Sequence, residues 1–184
     1  MKICETLSKI KDYLLHNNKK ENTKTDLIEK ILIDLNKEYE QYENTIRPEG
    51  YQVIFKTKPQ LNAKLFPIGE QRTTTQLSGV PENQDAYKAG NCSFCTSALK
   101  VEQIFSDRCR AILSRSNQVL VIPDTHYAHW FDMPLEVQAT LLRHGLELRK
   151  LHPQLQEPLE LHCGSAGAQT VFHTHLRTGI IRTE

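Results

Sequence analysis

The 184-residue chain has no apolar run approaching the ~18 residues of a membrane span, so no membrane partner is expected. It also lacks a dominant charge. Lys+Arg 23 against Asp+Glu 22 gives a net charge of +1, which removes any global electrostatic case for wrapping extended nucleic acid. Its five cysteines are an odd number, which argues against a complete disulfide framework. The N-terminus, Met1-Lys2-Ile3-Cys4-Glu5, lacks the apolar stretch of a secretory signal, so reduced thiols and a cytoplasmic location are expected. There is no internal repeat, and no proline or glycine precedes Pro48. What remains is one ordinary domain, or a domain with an appendage. A hydrophobic content of 39% suffices for a core, while the mean hydropathy of −0.50 points to a sizeable polar segment.

The chain changes character near residue 50. Ile3, Leu7, Ile10 and Leu14 follow a helical period, and after the polar break His16 to Asn22 so do Leu27, Ile28, Ile31, Leu32, Leu35 and Tyr39. Thr25 or Asp26 is the expected cap of the second helix. Residues 1–48 therefore read as a helical appendage that packs or dimerises, and 49–184 as the main domain. Tyr51, Val53 and Phe55 alternate as in a strand, and 67–90, with Pro67, Gly69, Gly79, Pro81 and Gly90, reads as loop-rich. Ser106 to Ser114 and Gln118 to Ile122 form an expected strand pair. A helix starts around Asp132, Pro134 and Glu136 and ends before Pro153. Leu159 to Cys163 and Thr170 to Leu176 are two further strands, joined by the turn Gly164-Ser165-Ala166-Gly167-Ala168. Helices first, then strands with one intervening helix, imply an α+β fold rather than an alternating parallel sheet.

The most informative residues lie in Phe172-His173-Thr174-His175-Leu176-Arg177. Two histidines at i and i+2 share one face of an extended strand, about 7 Å apart along it. Upstream, Cys92-x-x-Cys95 has the shape of a zinc knuckle. Zinc takes four ligands, and thiolate plus neutral imidazole suits it, so His126 and His173 are candidates to complete a Cys₂His₂ site. The same cysteine spacing also serves redox pairs or nothing at all. Cys4, Cys109 and Cys163 read as buried thiols. His175, held in one tautomer by its surroundings, would have a nitrogen free to attack phosphorus. It reads equally as a second metal ligand or a satisfied strand histidine. Small residues from Gly164 to Ala168 allow backbone N–H groups to approach phosphate, with Gln169 and Thr170 as neutral donors nearby. Arg177 shares the expected strand face of His175, where a guanidinium can neutralise phosphate oxygens; the alternative is a surface arginine. His129, His144, His152 and His162 lack comparable context and read as surface or packing residues.

In order, Cys92-x-x-Cys95, the run Val119 to His126 with Ile122-Pro123-x-x-His126, the helix from Pro134, and Ala166 to Arg177 resemble the histidine triad superfamily of nucleotide hydrolases and nucleotidyltransferases. The resemblance covers about Asn91 to Thr178. It implies an antiparallel sheet with a helix packed across it, and Zn²⁺ on Cys92, Cys95, His126 and His173. It implies that His175 attacks the α-phosphate of a nucleoside phosphate or dinucleotide to form a nucleotidyl-histidine, which water hydrolyses or another acceptor takes over. Gln169 and Thr170 match positions that orient phosphate and leaving group, and Gly164, Ser165, Gly167 and Ala168 match a phosphate-side turn. Related proteins are often homodimers. Two departures stand out. Arg177 occupies the third triad position, where hydrolases usually carry histidine and transferases glutamine, and Leu113 to Gln118 lacks the acidic residue that many members use to hold ribose.

The leading expectation is thus a zinc-containing hydrolase. Nucleotidyl transfer through the same adduct, a non-catalytic nucleotide-binding module and a purely structural zinc domain with a helical interaction arm are the rivals.

Overall fold

The computed structural model describes residues 22–71, 89–96, 108–114, 118–155 and 158–180. The first expected helix, over Ile3 to Leu14, and residues 72–88 of the loop-rich stretch lie outside the described residues. Helix α1 spans Asn22–Thr45. Strands β1 (Pro48–Lys56) and β2 (Asn62–Gln71) follow. A short helix α2 (Ser93–Thr96) carries the cysteine pair, and β3 (Cys109–Leu113) and β4 (Gln118–Pro123) form the expected strand pair. Helix α3 (Leu135–Leu151), β5 (Leu159–Cys163) and β6 (Leu176–Ile180) complete the chain. The six strands form one antiparallel sheet in the order β2-β1-β5-β6-β4-β3, so the fold is α+β, as expected.

Alternation of side chains gives the sheet two unlike faces. Tyr51, Val53 and Phe55 of β1, Leu159, Leu161 and Cys163 of β5, Val119 and Val121 of β4 and Leu176 of β6 are all buried in a single core under the helices. Helix α3 lies across β4 and β6. It comes so close that a Cβ on Gly145 would stand 2.5 Å from Leu176 Cδ2, which accounts for a glycine inside a helix that would otherwise favour alanine. Helix α1 packs on α3 and β2 and contributes Ile28, Leu32 and Leu35 to the same core. Each such side chain is worth about 1.5–3 kcal/mol when fully buried. Tyr39 stacks on Phe131 at 3.8 Å and meets Tyr51 edge-on at 5.2 Å. Asn36 Nδ2 donates to Gln138 Oε1 at 2.9 Å, joining α1 to α3 through side-chain amides. Among the described residues the opposite face carries a small apolar cluster, Ile112, Leu120 and Ile122 with Phe94 of α2 over it. Glu160, His162 and Arg177, alternating with core residues, stand on that same side, away from α1 and α3. Among the described residues no helix is long and apolar enough to cross a membrane.

Three boundaries differ from expectation. Helix α1 is already helical at Asn22, so neither Thr25 nor Asp26 caps it; the apolar stripe that docks it outweighs the weak helix preference of the residues before Leu27. Strand β2 runs through Pro67 and Gly69, where loop was expected. It is the edge strand beyond β1, and a proline that donates nothing is tolerated there. The expected strand Thr170 to Leu176 is regular only from Leu176. Upstream of it, backbone groups are taken by other partners: Thr174 N–H donates to Tyr127 O at 2.6 Å, and the Gln169 amide to Val171 O at 3.1 Å.

Because Leu32 is fully buried in the shared core, Leu32→Ala should cost about 2–5 kcal/mol in denaturant unfolding. The transition should stay single, with helix and sheet probes coinciding. A separate early loss of helix signal would show α1 to be an independent appendage.

Candidate metal centre and the histidine beside it

Four side chains from three segments converge beyond the end of β4. Cys92 and Cys95 are brought onto one side by the turn of α2, in which Cys95 and Thr96 N–H both donate to Cys92 O, at 3.0 and 2.9 Å. Arg110 on β3 ties this turn to the sheet through Nη2 to Phe94 O at 2.8 Å. His126 comes from the loop after β4, and His173 from the segment before β6. One candidate ligand atom from each of Cys92, Cys95, His126 and His173 lies within 4.8 Å of the others. His173 Nδ1 is 3.5 Å from Cys92 Sγ and 3.3 Å from Cys95 Sγ, and His126 Nδ1 is 3.4 Å from Cys95 Sγ. For a tetrahedral ion with bonds of ~2.3 Å to sulfur and ~2.0–2.1 Å to nitrogen, the sulfur–nitrogen edge is about 3.5 Å. The spacing is that of a ligand shell.

The protonation of the donors agrees with that geometry. The other nitrogen of His173, Nε2, donates to Pro123 O at 2.8 Å, which leaves Nδ1 with its lone pair toward the sulfurs. Burial, together with the nearby His126, Arg110 and His175, holds His173 down to about 4, so it is neutral near pH 7. Desolvation and then the adjacent Cys92 push the Cys95 thiol up to about 11. A bound cation reverses that penalty by expelling the proton, so loading releases acid. The chain can hold a metal ion here with Cys₂His₂ ligation.

His175 is the next alternate residue, but not because both histidines sit on a regular strand. The irregular backbone before β6 places both rings edge-on to Phe94, at centroid distances of 5.8 Å for His173 and 5.6 Å for His175. His175 Nδ1–H donates to the carbonyl oxygen of His173 at 2.9 Å. This selects the tautomer whose Nε2 carries the lone pair. Burial holds the ring down to about 4, against its bond to His173 O, with the charge of Arg177 acting in the same direction as burial. The result is an uncharged imidazole whose Nε2 has no partner among the described residues.

The remaining expected site residues are arranged differently. Gln169 is buried, with Oε1 accepting from Gly164 N–H at 2.9 Å and Nε2 donating to Ala128 O at 2.8 Å and Val171 O at 3.1 Å. Both amide hydrogens are spent on the backbone. Thr170, Ser165 and Ala168 are exposed, while Gly164 and Gly167 are buried. Gly164 and Ala168 take left-handed backbone, φ +81° and +63°, and a Cβ on Gly167 would lie 2.5 Å from Tyr51 O. The turn is therefore pressed onto β1, with its glycines serving that close approach. Arg177 stands beside this turn. It meets a residue that the sequence reads as surface or packing: His162 Nε2 lies 3.4 Å from Arg177 Nη1. The signal is the alternation of Leu159, Leu161 and Cys163, which sends His162 to the face away from α1 and α3.

Comparison with protein-family models, curated proteins and solved structures finds no match to this chain.

The full chain should bind one divalent metal ion. Cys95→Ser or His173→Ala should each lower metal affinity at least about tenfold while far-UV circular dichroism is retained, as measured by competition with a chromophoric chelator. Unchanged affinity in both would remove the site. The metal-free chain should also lose stability in acid. His173 and His175 stay neutral when folded down to about pH 4 but protonate near 6.5 when unfolded, so stability is present above about pH 6.5 and falls toward pH 4. Denaturant midpoints that do not fall over this window would contradict the buried neutral histidines.

Proposed function

We propose that the chain is a zinc-containing hydrolase of nucleoside phosphates or dinucleotides that works through a covalent nucleotidyl-histidine at His175. One observation carries this reading: a buried, uncharged imidazole whose Nδ1–H is spent on His173 O and whose Nε2 is left with a lone pair and no partner among the described residues. That is the state a histidine nucleophile needs. The ligand set Cys₂His₂ suits zinc, which prefers thiolate and imidazole in tetrahedral array. Cys92, Cys95, His126 and His173 would hold the ion between them, and it would cross-link α2, the loop carrying His126 and the segment carrying His173.

In the first step the Nε2 lone pair attacks the α-phosphorus. A nitrogen–phosphorus bond forms, the phosphorus–oxygen bond to the leaving group breaks, and the leaving oxygen keeps the electron pair or takes a proton from solvent. In the second step water attacks the same phosphorus and releases a proton to solvent, the nitrogen–phosphorus bond breaks, and the pair returns to Nε2. The Nδ1–H bond to His173 O offsets the positive charge that develops on the ring while the adduct exists. Arg177, one alternate residue further, supplies fixed positive charge on the phosphate side. Delivery of the nucleotidyl group to phosphate or a sugar phosphate instead of water would make the same chemistry a nucleotidyl transfer.

A second reading, a nucleotide-binding module without turnover, is favoured by the state of Gln169, whose two amide hydrogens are already spent on the backbone.

Intact-protein mass spectrometry after brief exposure to nucleoside phosphates and dinucleotides, handled without acid, separates these outcomes. The expected result is a gain of one nucleoside monophosphate that is absent in His175→Ala, with turnover in that variant down by at least about 10³-fold and zinc content intact. Nucleotide binding without any adduct would favour the non-catalytic module, and full turnover in His175→Ala would end the proposal.

A further inference from the structure

Cys92 and Cys95 are candidate ligands of one ion, yet their access to solvent differs: Cys95 is exposed and Cys92 is buried. Their sulfurs stand within 4.8 Å of one another. The two atoms that hold an ion are thus also placed to bond to each other, and they cannot do both. A sulfur in a disulfide has given up the thiolate charge that binds zinc. No other pair among the described residues has that choice. Cys109 and Cys163 are buried in the core on β3 and β5, which are not neighbours in the sheet. Burial also pushes the Cys163 thiol up to about 12, so it stays protonated and inert.

The turn that carries the pair is built without its sulfurs. Cys95 N–H, Thr96 N–H and Thr96 Oγ1 all donate to Cys92 O, at 3.0, 2.9 and 2.8 Å, and Arg110 Nη2 donates to Phe94 O. The main core lies across the sheet under α1 and α3. Loss of an ion here therefore leaves the fold standing. Its effect is local and falls on Phe94, the residue between the cysteines, whose ring is edge-on to His173 and His175 at 5.8 and 5.6 Å. Side chains three apart on a helical turn have Cβ atoms ~5–6 Å apart, whereas a disulfide needs ~3.5–4.5 Å. Forming the bond tightens the turn and shifts that ring.

We infer that Cys92 and Cys95 are a thiol–disulfide switch on the metal centre, through which a small disulfide such as glutathione disulfide expels the ion and moves Phe94 against His175. The exposed Cys95 thiolate attacks one sulfur of glutathione disulfide, a mixed disulfide forms, and one glutathione thiolate leaves. The Cys92 thiolate then attacks the Cys95 sulfur, the Cys92–Cys95 bond forms, and the second glutathione thiolate leaves. The pair loses two electrons and glutathione disulfide takes up the same two. The divalent ion departs, because His126 and His173 are then the two donors left to hold it. The switch depends on the metal centre and not on turnover at His175.

The test treats the zinc-loaded full chain with glutathione disulfide, after Cys4→Ser has removed the one thiol outside the described residues. One zinc per chain should appear on a chromophoric chelator. The intact mass should fall by two hydrogens, and the peptide map should show a Cys92–Cys95 link. Dithiothreitol and fresh zinc should restore the starting state, with far-UV circular dichroism unchanged throughout. The His175 ring resonances should shift on oxidation and return on reduction. Cys95→His keeps four metal donors but leaves Cys92 without a partner sulfur, so it should hold its zinc through the same treatment. Zinc retained with both thiols free, or lost equally from Cys95→His, would overturn the switch. So would release through glutathione adducts or bridges between chains without the Cys92–Cys95 link, and so would release that unfolds the chain. If Cys95→His does not load, the peptide map of the Cys4→Ser chain decides alone. Unshifted His175 resonances would remove the coupling through Phe94.

Discussion

Everything in the candidate site depends on how His173 is shared. One ring nitrogen faces Cys92 and Cys95, the other donates to Pro123 O, and the residue's own carbonyl accepts from His175 Nδ1. These three commitments leave the residue no freedom. A cation on the sulfurs requires a lone pair on Nδ1, which requires the proton on Nε2, which Pro123 O receives. With the ring so fixed, the peptide that holds His175 is fixed too. Covalent and hydrogen-bonded links thus join the candidate metal ligands to the tautomer of a neighbouring histidine.

The sheet makes this arrangement possible by dividing its labour between two faces. The face under α1 and α3 takes nearly all the apolar burial, and it holds the strands in a register that pairs Glu160 with Arg177 and Leu120 with Arg177. The other face carries little apolar surface and is free to carry charge: Arg110 behind the cysteine turn, Arg177 and His162 beside the Gly164 to Ala168 turn. Apolar burial is drawn from one side, and charged side chains stand on the other. The turn itself contributes mainly by packing. Gly50 and Gly167 bring two backbones together so closely that a Cβ on Gly50 would stand 2.6 Å from Gly167 N, and this fixes the carbonyl that holds His162.

Much of this was legible in the residues. The alternation Tyr51, Val53, Phe55 and the helical period from Leu135 to Arg149 are local patterns, and local patterns mark elements well. The four members of the metal cluster could be named because thiolate and imidazole are scarce and their chemistry is narrow. What was hidden is non-local. Pro67 and Gly69 signal loop in isolation, and only the position of β2 at a sheet edge makes them acceptable in a strand. The segment before β6 was read as a strand because His-x-His has the period of one, whereas Tyr127 and the Gln169 amide take its backbone groups instead. The contact of His162 lies across the sheet at Arg177, out of reach of local pattern, and the amide hydrogens of Gln169, expected to face phosphate, go to the Ala128 and Val171 carbonyls.

The central claim, that the backbone carbonyl of His173 holds His175 as a neutral imidazole with its proton on Nδ1, is tested most directly by ¹⁵N-resolved imidazole NMR of the full chain. Near pH 7 His175 should carry its proton on Nδ1 and a bare Nε2. A proton on Nε2, or a doubly protonated ring, would contradict it.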